Sequence, residues 1–208
     1  MLIKDIYNFF LSTDSVSTDS RKIADNSLFI SLKGDRFNGN KFARSAIENG
    51  ARYAIIDDEK YKIDERFILV ENCLETLQKL ANFHRKKINT KIIAITGSNG
   101  KTTTKELLYN VFKSSYNTIC TVGNLNNHIG VPLSILSIKI DTEIAIIEMG
   151  ASSLGEIELL CDIAEPNFGY ITNFGKAHIE GFGSELKVVE GKSELYKYLK
   201  NNEGTIFF

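Results

Sequence analysis

Short apolar runs and helical spacings divide the first part of this chain into alternating elements. Apolar runs predict strands at residues 27–32, 52–57 and 66–71. Apolar positions three and four residues apart predict helices at residues 41–50 and 73–88. Gly50 is expected to end the first of these helices. The polar run at residues 85–91 then predicts a boundary, so that residues 1–84 form a first domain and residues 85–208 a second.

The second part of the chain alternates more regularly. Predicted strands cover residues 91–96, 117–122, 142–150, 168–175 and 204–208. Helical or apolar segments between them cover residues 102–115, 130–138, 153–164 and 184–199. This alternation predicts an α/β fold with a parallel sheet, whose ligands bind where the strands end. Because the chain stops inside a predicted strand, we expect it to be part of a larger protein.

Composition narrows the class of protein. The chain has 208 residues, a net charge of −1 and 43% hydrophobic residues, enough for one or two cores. Its charges are mixed, which argues against a nucleic-acid or membrane surface, and it has neither a signal peptide nor a membrane-spanning run. The spacing of Cys73, Cys120 and Cys161 suits neither a metal site nor a disulfide framework. We therefore expect a cytoplasmic protein with reduced core cysteines.

A glycine-rich turn carries the clearest chemistry. Gly97-Ser98-Asn99-Gly100-Lys101-Thr102 lies between a predicted strand and a predicted helix, as in a phosphate-binding loop. The general pattern G-x-x-x-x-G-K-[ST] lacks its first glycine here, because that position is Ile95. Backbone amides at the helix start would hold phosphate, Lys101 would reach the outer phosphates, and Thr102 would bind Mg²⁺. The alternative is an ordinary turn with a surface lysine.

Three other residues are candidates on their positions alone. Glu148 ends an apolar strand, where a carboxylate needs a partner such as Mg²⁺, or else is a solvated acid. Asn173 and His178 follow the next strand, and His178 is either a metal ligand or a structural histidine. Lys192 has apolar neighbours within a predicted helix, so it is either partly buried and reactive or a surface residue.

Four segments give the chain a resemblance to a known family. They are "TVGNLNNHIGVPLSIL", "IIEMGASSLGEIELL", "ITNFGKAHIEGFGS" and "STDSRKIADNSLFISLKGDRFNGNKF". With the loop, they resemble the Mur ligases, the ATP-dependent amino-acid ligases of peptidoglycan synthesis, over nearly the whole chain. That family carries the same shortened loop, which accounts for Ile95. His128 departs from the family, in which an acidic residue more often follows the two asparagines.

The resemblance implies roles for individual residues. Thr102 and Glu148 would bind one Mg²⁺, and His178 would bind or support a second. Lys101, Glu148, His178 and Lys192 would serve catalysis, and Lys192 matches a position that is carbamylated in several members. The ATP phosphates would lie on Gly97, Ser98, Asn99, Gly100, Lys101, Thr102 and Thr103. A UDP-sugar would contact Ser20, Arg21, Asn38, Gly39 and Asn40, and its muramoyl-peptide end Asn124, Asn126 and Asn127.

The resemblance also implies a reaction. Residues 1–84 would bind UDP-MurNAc-tripeptide, and residues 85–208 would be the first part of a P-loop ATPase domain. ATP would phosphorylate the tripeptide carboxylate, and the amine of D-Ala-D-Ala would attack the acyl phosphate, releasing phosphate beside ADP. The expected protein is a monomer that acts on small molecules, and these residues alone are expected not to ligate.

Other functions stay open at this point. A sister ligase would add a single amino acid, such as a diamino acid or glutamate, and folate polyglutamate ligases share the loop. A noncatalytic UDP-sugar-binding module and a general P-loop NTPase or kinase are the remaining alternatives.

Overall fold

The structure, a computed structural model, describes residues 1–175 and 179–208, apart from the side chain of Ile179. The described chain divides into two compact units, Met1–His84 and Arg85–Phe208. Among the helices of this described part, none is both long and apolar enough to cross a membrane.

The first unit is built on a parallel sheet of four strands in the order β1-β2-β5-β6. A short antiparallel hairpin, β3-β4, follows β2. The strands are β1 (Ser15–Ser17), β2 (Ser27–Ile30), β3 (Lys33–Gly34), β4 (Phe37–Asn38), β5 (Ala51–Ile56) and β6 (Phe67–Leu69). The helices are α1 (Ile3–Leu11), α2 (Ala43–Glu48) and α3 (Cys73–Arg85).

Helix α2 and the sheet form a core in the first unit. Phe29, Ile56 and Phe67 from the strands pack with Ala43 and Ala46 from the helix, and all are buried. The small alanine side chains let the helix approach the sheet closely. Just beyond the helix, Gly50 has φ of 112° and its N–H bonds to the Ile47 carbonyl. The helix therefore ends at the glycine that the sequence indicates.

The second unit contains a parallel sheet of five strands in the order β11-β10-β7-β9-β8. The strands are β7 (Lys91–Thr96), β8 (Thr118–Cys120), β9 (Ile144–Glu148), β10 (Phe168–Ile171) and β11 (Thr205–Phe207). The helices are α4 (Lys101–Phe112), α5 (Gly130–Leu136), α6 (Glu156–Ala164), α7 (Ile179–Phe182) and α8 (Glu185–Asn201). The expected α/β fold with parallel sheets is confirmed.

The sheet of the second unit has helices on both faces. Helix α4 packs on β7, β8 and β9, whereas α5, α6 and α8 pack against one another over the other face. In the sheet, β8 and β9 lie on one side of β7, and β10 and β11 lie on the other. Right-handed crossovers to strands on opposite sides of β7 place helices on opposite faces of the sheet. Ile95 pairs with Glu148, and Thr96 pairs with Ile171. The carboxyl ends of β7, β9 and β10 therefore lie side by side.

Some features differ from the sequence-based expectations. Helix α1, the hairpin β3-β4 and helix α7 were not expected. All the cysteines are free, as expected, but Cys120 is only half-buried, whereas Cys73 and Cys161 are in the core. The expectation of a core position was wrong for Cys120 because it lies on β8, which is an edge strand.

Candidate active site

The turn after β7 has a backbone that requires glycine. Gly97 has φ of 135°, and a Cβ placed there would lie 2.1 Å from the Thr172 hydroxyl. Gly100 has φ of 78° and directly precedes the first residue of α4. Both conformations lie in the region that residues with a side chain rarely adopt. The glycines at these two positions therefore set the path of the loop.

The loop is fastened to the segment that follows β10. The Ser98 and Asn99 amides donate to the main-chain and side-chain oxygens of Asn173, both at 3.1 Å. The Ser98 hydroxyl donates to the Gly175 carbonyl at 3.1 Å and accepts from the Gly175 amide at 2.9 Å. The Thr172 hydroxyl donates to the Asn99 carbonyl at 2.6 Å. These bonds fix the loop conformation from the neighbouring strand end.

The start of α4 presents unused donors beside a lysine. The amides of residues 101–103 donate to no acceptor within residues 1–175 and 179–208. Lys101 extends its ammonium over the loop, donating to the Gly97 carbonyl at 2.8 Å and the Ser98 carbonyl at 3.4 Å. Thr103 is exposed on the same turn. Helix-start amides, the positive end of the helix dipole and a flexible cation together form a site for an anion such as phosphate.

Glu148 is a buried carboxylate next to this loop. Its residue is 3% exposed. Its Oε2 accepts from the Thr102 hydroxyl at 3.0 Å, and its Oε1 accepts from the Asn126 amide at 2.8 Å. Both donors are neutral, and no cation of the described residues lies within salt-bridge distance. A buried carboxylate with only neutral partners is a strong attractor for a cation.

The asparagine-rich turn between β8 and α5 supplies one of these donors. Asn126 faces Glu148, and its carbonyl accepts from the Gly150 amide at 2.7 Å. The Asn127 side-chain oxygen accepts from the Ile129 and Gly130 amides, so it supports the start of α5. Asn124 is exposed. Of the three predicted asparagines, Asn126 is thus the one the structure places on the carboxylate.

A cleft of about 590 Å³ opens beside the loop and this turn. It contains the charged groups Lys101 and Glu156 and the exposed His128, and an apolar wall from α6 closes one side. Its lining residues are Lys101, Asn126, Asn127, His128, Gly150, Ala151, Ser152, Glu156, Leu159 and Leu160. The cleft is large enough for a substrate end to approach the loop.

Lys192 lies under the floor of this cleft. It is 1% exposed, so the expected partial burial is in fact nearly complete. Its ammonium donates to the Ala151 carbonyl at 3.0 Å and lies 5.2 Å from the centre of the Phe182 ring. Burial, with a further contribution from the nearby Lys101 charge, lowers the pKa of Lys192 to about 8. A lysine with this pKa is partly neutral near physiological pH and can act as a nucleophile.

Helix α8, which carries Lys192, also holds the segment that follows β9. The Glu194 carboxylate accepts from the Gly155 amide at 2.7 Å and from the Glu158 amide at 3.0 Å, at the start of α6. Helix α8 therefore fixes both Ala151, through Lys192, and the first turn of α6. The remaining predicted metal ligand, His178, lies outside the described residues.

The first-unit candidates surround the hairpin and the β1-β2 connection. Arg21 has an 85% exposed side chain that pairs with Asp19, and Ser20 is half-buried. Asn40 is 1% exposed, and its amide group donates to Asn38 at 2.9 Å and to Asp57 at 2.7 Å. The side chain of Asn40 thus holds the hairpin, and Arg21 is the predicted residue that extends into solvent.

Sequence reasoning missed two polar residues near these sites. Lys105 is buried on α4, and its only sequence signal is that it occupies a position of the helix face that also carries Leu108 and Phe112. Asp57 directly follows β5 and pairs with Lys33 of the hairpin at 2.8 Å. Its signal is the same as that of Glu148, an acidic residue at the end of a buried apolar strand.

Comparison with known proteins decides the family. A model of the Mur ligase middle domain matches residues 95–208, more than half of the chain. The chain belongs to the Mur ligase family. A second model, described as the Mur ligase family catalytic domain, matches residues 13–85. The glycine-rich loop, Glu148 and the cleft beside them therefore lie in the part that matches the Mur ligase middle domain, whereas the first-unit candidates lie in the other match.

Individual Mur ligases are similar over most of this chain. UDP-N-acetylmuramoyl-tripeptide–D-alanyl-D-alanine ligase of Bacillus subtilis is 42% identical over 194 residues, 92% of this chain and 42% of the relative. A crystal structure of MurF from Acinetobacter baumannii has a TM-score of 0.83 at 31% identity, covering 94% of this chain and 46% of that one. MurF from Thermotoga maritima, in complex with ADP, has a TM-score of 0.80 at 37% identity and covers 91% and 44%. This chain thus spans less than half the length of these relatives.

Proposed function

We propose that this chain forms the substrate-binding and ATP-binding part of a ligase that joins D-Ala-D-Ala to UDP-MurNAc-tripeptide. The observation that carries the proposal is the buried Glu148 carboxylate, which meets the phosphate-loop residue Thr102 and has only neutral partners in the described chain. The similarity to ligases of this name, at 42% identity for the relative from Bacillus subtilis, supports the choice of substrates.

The residues around Glu148 suit Mg²⁺. The carboxylate and the Thr102 hydroxyl are hard oxygen ligands, which Mg²⁺ prefers. Among the described residues, no three His, Cys, Asp or Glu side chains come together to hold a metal. A cation at Glu148 would therefore complete its shell with water and phosphate oxygens, which is how Mg²⁺ is commonly held in phosphoryl-transfer sites. When bound, Mg²⁺ neutralises the charge that develops on the phosphate oxygens.

The loop is proposed to hold the ATP phosphates. The amides of residues 101–103 would donate to phosphate oxygens, and Lys101 would exchange its loop carbonyls for a phosphate. Lys101 lines the cleft, so in this proposal its ammonium would lie between the nucleotide and the incoming carboxylate. The loop thereby orients the terminal phosphate towards the substrate carboxylate, so that phosphoryl transfer gives an acyl phosphate.

Lys192 is proposed to be carbamylated. Its pKa of about 8 leaves a fraction of neutral amine, which can attack CO₂ and lose a proton to give a carbamate. The modification would convert a buried cation beside Lys101 into an anion and so remove a repulsion. The carbamate nitrogen would keep an N–H to donate to the Ala151 carbonyl, and its two oxygens would be available as ligands for a cation.

The first unit is proposed to bind the UDP-sugar. In this proposal the exposed Arg21 would exchange its two hydrogen bonds to Asp19 for diphosphate oxygens, since guanidinium groups bind phosphate in a bidentate manner. Asn38 lies on the hairpin that Asn40 holds in place, and Ser20 precedes Arg21 in the β1-β2 connection. In this proposal Asn40 and Gly39 shape the hairpin, whereas Arg21, Ser20 and Asn38 contact the ligand.

Removal of one charge tests the nucleotide site. A nonhydrolysable ATP analogue is titrated calorimetrically into the 208-residue chain at several Mg²⁺ concentrations. We expect Glu148→Gln to lose Mg²⁺-dependent binding by roughly a hundredfold, because the isosteric amide cannot bind the cation. Glu143→Gln is the matched control, since this exposed carboxylate lies just before the other end of β9. Unchanged Mg²⁺ dependence in Glu148→Gln would overturn the proposed site.

Substrate choice needs a separate test in the complete ligase. Amide formation is measured with D-Ala-D-Ala and, in parallel, with single amino acids including a diamino acid and glutamate. We expect turnover with the dipeptide alone. Turnover with a single amino acid would identify a sister ligase, and UDP-sugar binding without turnover would identify a binding module.

A further inference from the structure

Lys105 is a buried cation that the proposed reaction does not use. It lies one turn beyond Lys101 on α4 and is 1% exposed. Its neighbours on that face of the helix are apolar, with Leu108 and Phe112 packed on the isoleucines of β7 and β9. Burying a lysine ammonium in such a position removes its hydration, so the charge needs partners within the protein.

The ammonium of Lys105 binds two groups of the described chain. It donates to the main-chain carbonyl of Thr121 at 2.7 Å and pairs with the Glu106 carboxylate at 3.1 Å. The Glu106 side chain is 52% exposed, so the Thr121 carbonyl is the buried one of the two partners. Lys105 therefore ties the first part of α4 to the residue that directly follows β8.

Thr121 connects this lysine to the carboxylate. Its hydroxyl accepts from the Glu148 amide at 2.9 Å, and its own amide donates to the Ile146 carbonyl at 2.9 Å. Thr121 is 1% exposed, so water does not compete for these bonds. The position of the Glu148 main chain thus depends on Thr121, and the position of Thr121 depends on Lys105.

The side chain of Glu148 is held by the same region of the chain. The turn that leaves Thr121 contains Asn126, whose amide donates to the Glu148 carboxylate at 2.8 Å. Thr102, three residues before Lys105, donates to the other carboxylate oxygen at 3.0 Å. Lys105 is therefore connected through Thr121 to the main chain of Glu148, and it lies one helical turn from Thr102, one of the two donors to the carboxylate.

We propose that Lys105 is a positioning residue that holds Glu148 at the place where it binds the divalent cation of the nucleotide. This inference rests on the proposed function. A charged donor is suited to the role because its hydrogen bond to a buried carbonyl is stronger than a neutral one. Groups that orient a metal ligand without touching the metal commonly change metal affinity by about tenfold or more when they are removed.

The test separates positioning from stability. Lys105→Met keeps most of the side-chain length and deletes the charge, and Lys113→Met deletes an exposed charge just after the end of the same helix. A nonhydrolysable ATP analogue is titrated calorimetrically into each variant of the 208-residue chain, with Mg²⁺ and with EDTA. We expect Lys105→Met to need about tenfold more Mg²⁺ for half-maximal binding, with binding in EDTA unchanged. Lys113→Met should match the wild type in both.

A second pair of variants keeps the test decisive if Lys105→Met folds poorly. Thr121→Val keeps the carbonyl that accepts from Lys105 but removes the hydroxyl that accepts from Glu148. It should raise the Mg²⁺ requirement in the same direction, and Thr121→Ser should restore it. If the wild type binds nucleotide in a Mg²⁺-dependent way and none of these variants changes that dependence, the positioning role of Lys105 is overturned and the proposed function remains. If the wild type shows no Mg²⁺-dependent binding, the proposed function falls and the inference falls with it.

Discussion

Two buried lysines, one on each face of the second sheet, behave differently. Lys105 on α4 and Lys192 on α8 are each 1% exposed, and each donates to a main-chain carbonyl. Lys105 also pairs with the Glu106 carboxylate. Within the described residues no carboxylate lies within salt-bridge distance of Lys192, and the nearby charge of Lys101 opposes its protonation.

The difference shows how similar burial can serve two purposes. The Lys105 ammonium, which bonds to the Thr121 carbonyl and the Glu106 carboxylate, can hold neighbouring segments of the chain in place. Burial, and then the nearby Lys101 charge, destabilise the charged form of Lys192, so its neutral form becomes available for chemistry. Lys105 thus supports the frame of the proposed site, and Lys192 provides a group that can be modified. Because the two side chains are equally exposed, the difference between these roles lies in the charged groups around each ammonium.

The largest expected effect is the change of the free energy of unfolding with pH that the titration of Lys192 causes. Its folded-state pKa of about 8 lies below the ordinary 10.5, so between these values the unfolded chain holds a proton that the folded chain has released. The free energy of unfolding therefore rises with pH across this window, by up to ~3 kcal/mol. Below pH 8 both states are protonated, and the full penalty of burying the charge remains.

Urea unfolding between pH 7 and 10.5, followed by circular dichroism, measures this rise. The wild type is compared with Lys192→Met, which has no proton to release at this position, so the difference between the two curves isolates one group. Parallel curves for the two proteins would show that the pKa of Lys192 is not lowered by the fold.

A second prediction compares the two lysines directly at pH 7. Lys105→Met should lower the free energy of unfolding by ~2 kcal/mol, because the buried Thr121 carbonyl loses its charged donor. Lys192→Met should leave stability unchanged or raised, since it removes a charge whose burial is unfavourable. Thermal and urea unfolding of both variants give the comparison. Equal losses in the two variants would remove the distinction between them.

The smallest expected effect comes from the partner of Lys105. Glu106→Gln removes the carboxylate and leaves the bond from Lys105 to Thr121, which makes the surroundings of Lys105 more like those of Lys192. Because the Glu106 side chain is half exposed, we expect a loss of only ~0.5 kcal/mol. Urea unfolding at low and at high salt measures it, and the loss should shrink in high salt. A salt-independent loss would show that Glu106 acts through packing.

The regular part of the fold could be predicted from the sequence, because each element there has a strong local signal. The apolar strands β7 and β9 and the amphipathic helix α6 all form where the pattern indicates them. Helix α1 was missed although its pattern is amphipathic, with Lys4, Asp5 and Asn8 exposed and Ile6 and Phe10 buried. Its nine residues make little more than two turns, so the helical period is a weak signal there.

The strand pattern predicted only those site residues that lie at or just after the carboxyl end of a strand. The strand pattern indicated only that Glu148 and the loop lie where strands end, and the family resemblance implied that Glu148 and Thr102 share a cation. The two side chains form a hydrogen bond. The bond from Asn126 to Glu148 and the contact of Lys105 with Thr121 depend on where turns distant in the sequence pack. A lysine within an apolar face is a weak signal, because most such lysines reach solvent with their charged end.

The last residue of α3 carries a practical consequence for dividing the protein. Arg85 is 8% exposed and donates to the Ala164 carbonyl at 2.8 Å and the Glu165 carbonyl at 3.0 Å, where α6 ends. The family model that matches residues 13–85 includes this residue, yet its guanidinium bonds within the second unit. An expressed fragment of the second unit that starts at the strand β7 would leave the carboxyl end of α6 without its cap. An expressed fragment of the second unit should therefore begin at Arg85, six residues before the first residue of β7.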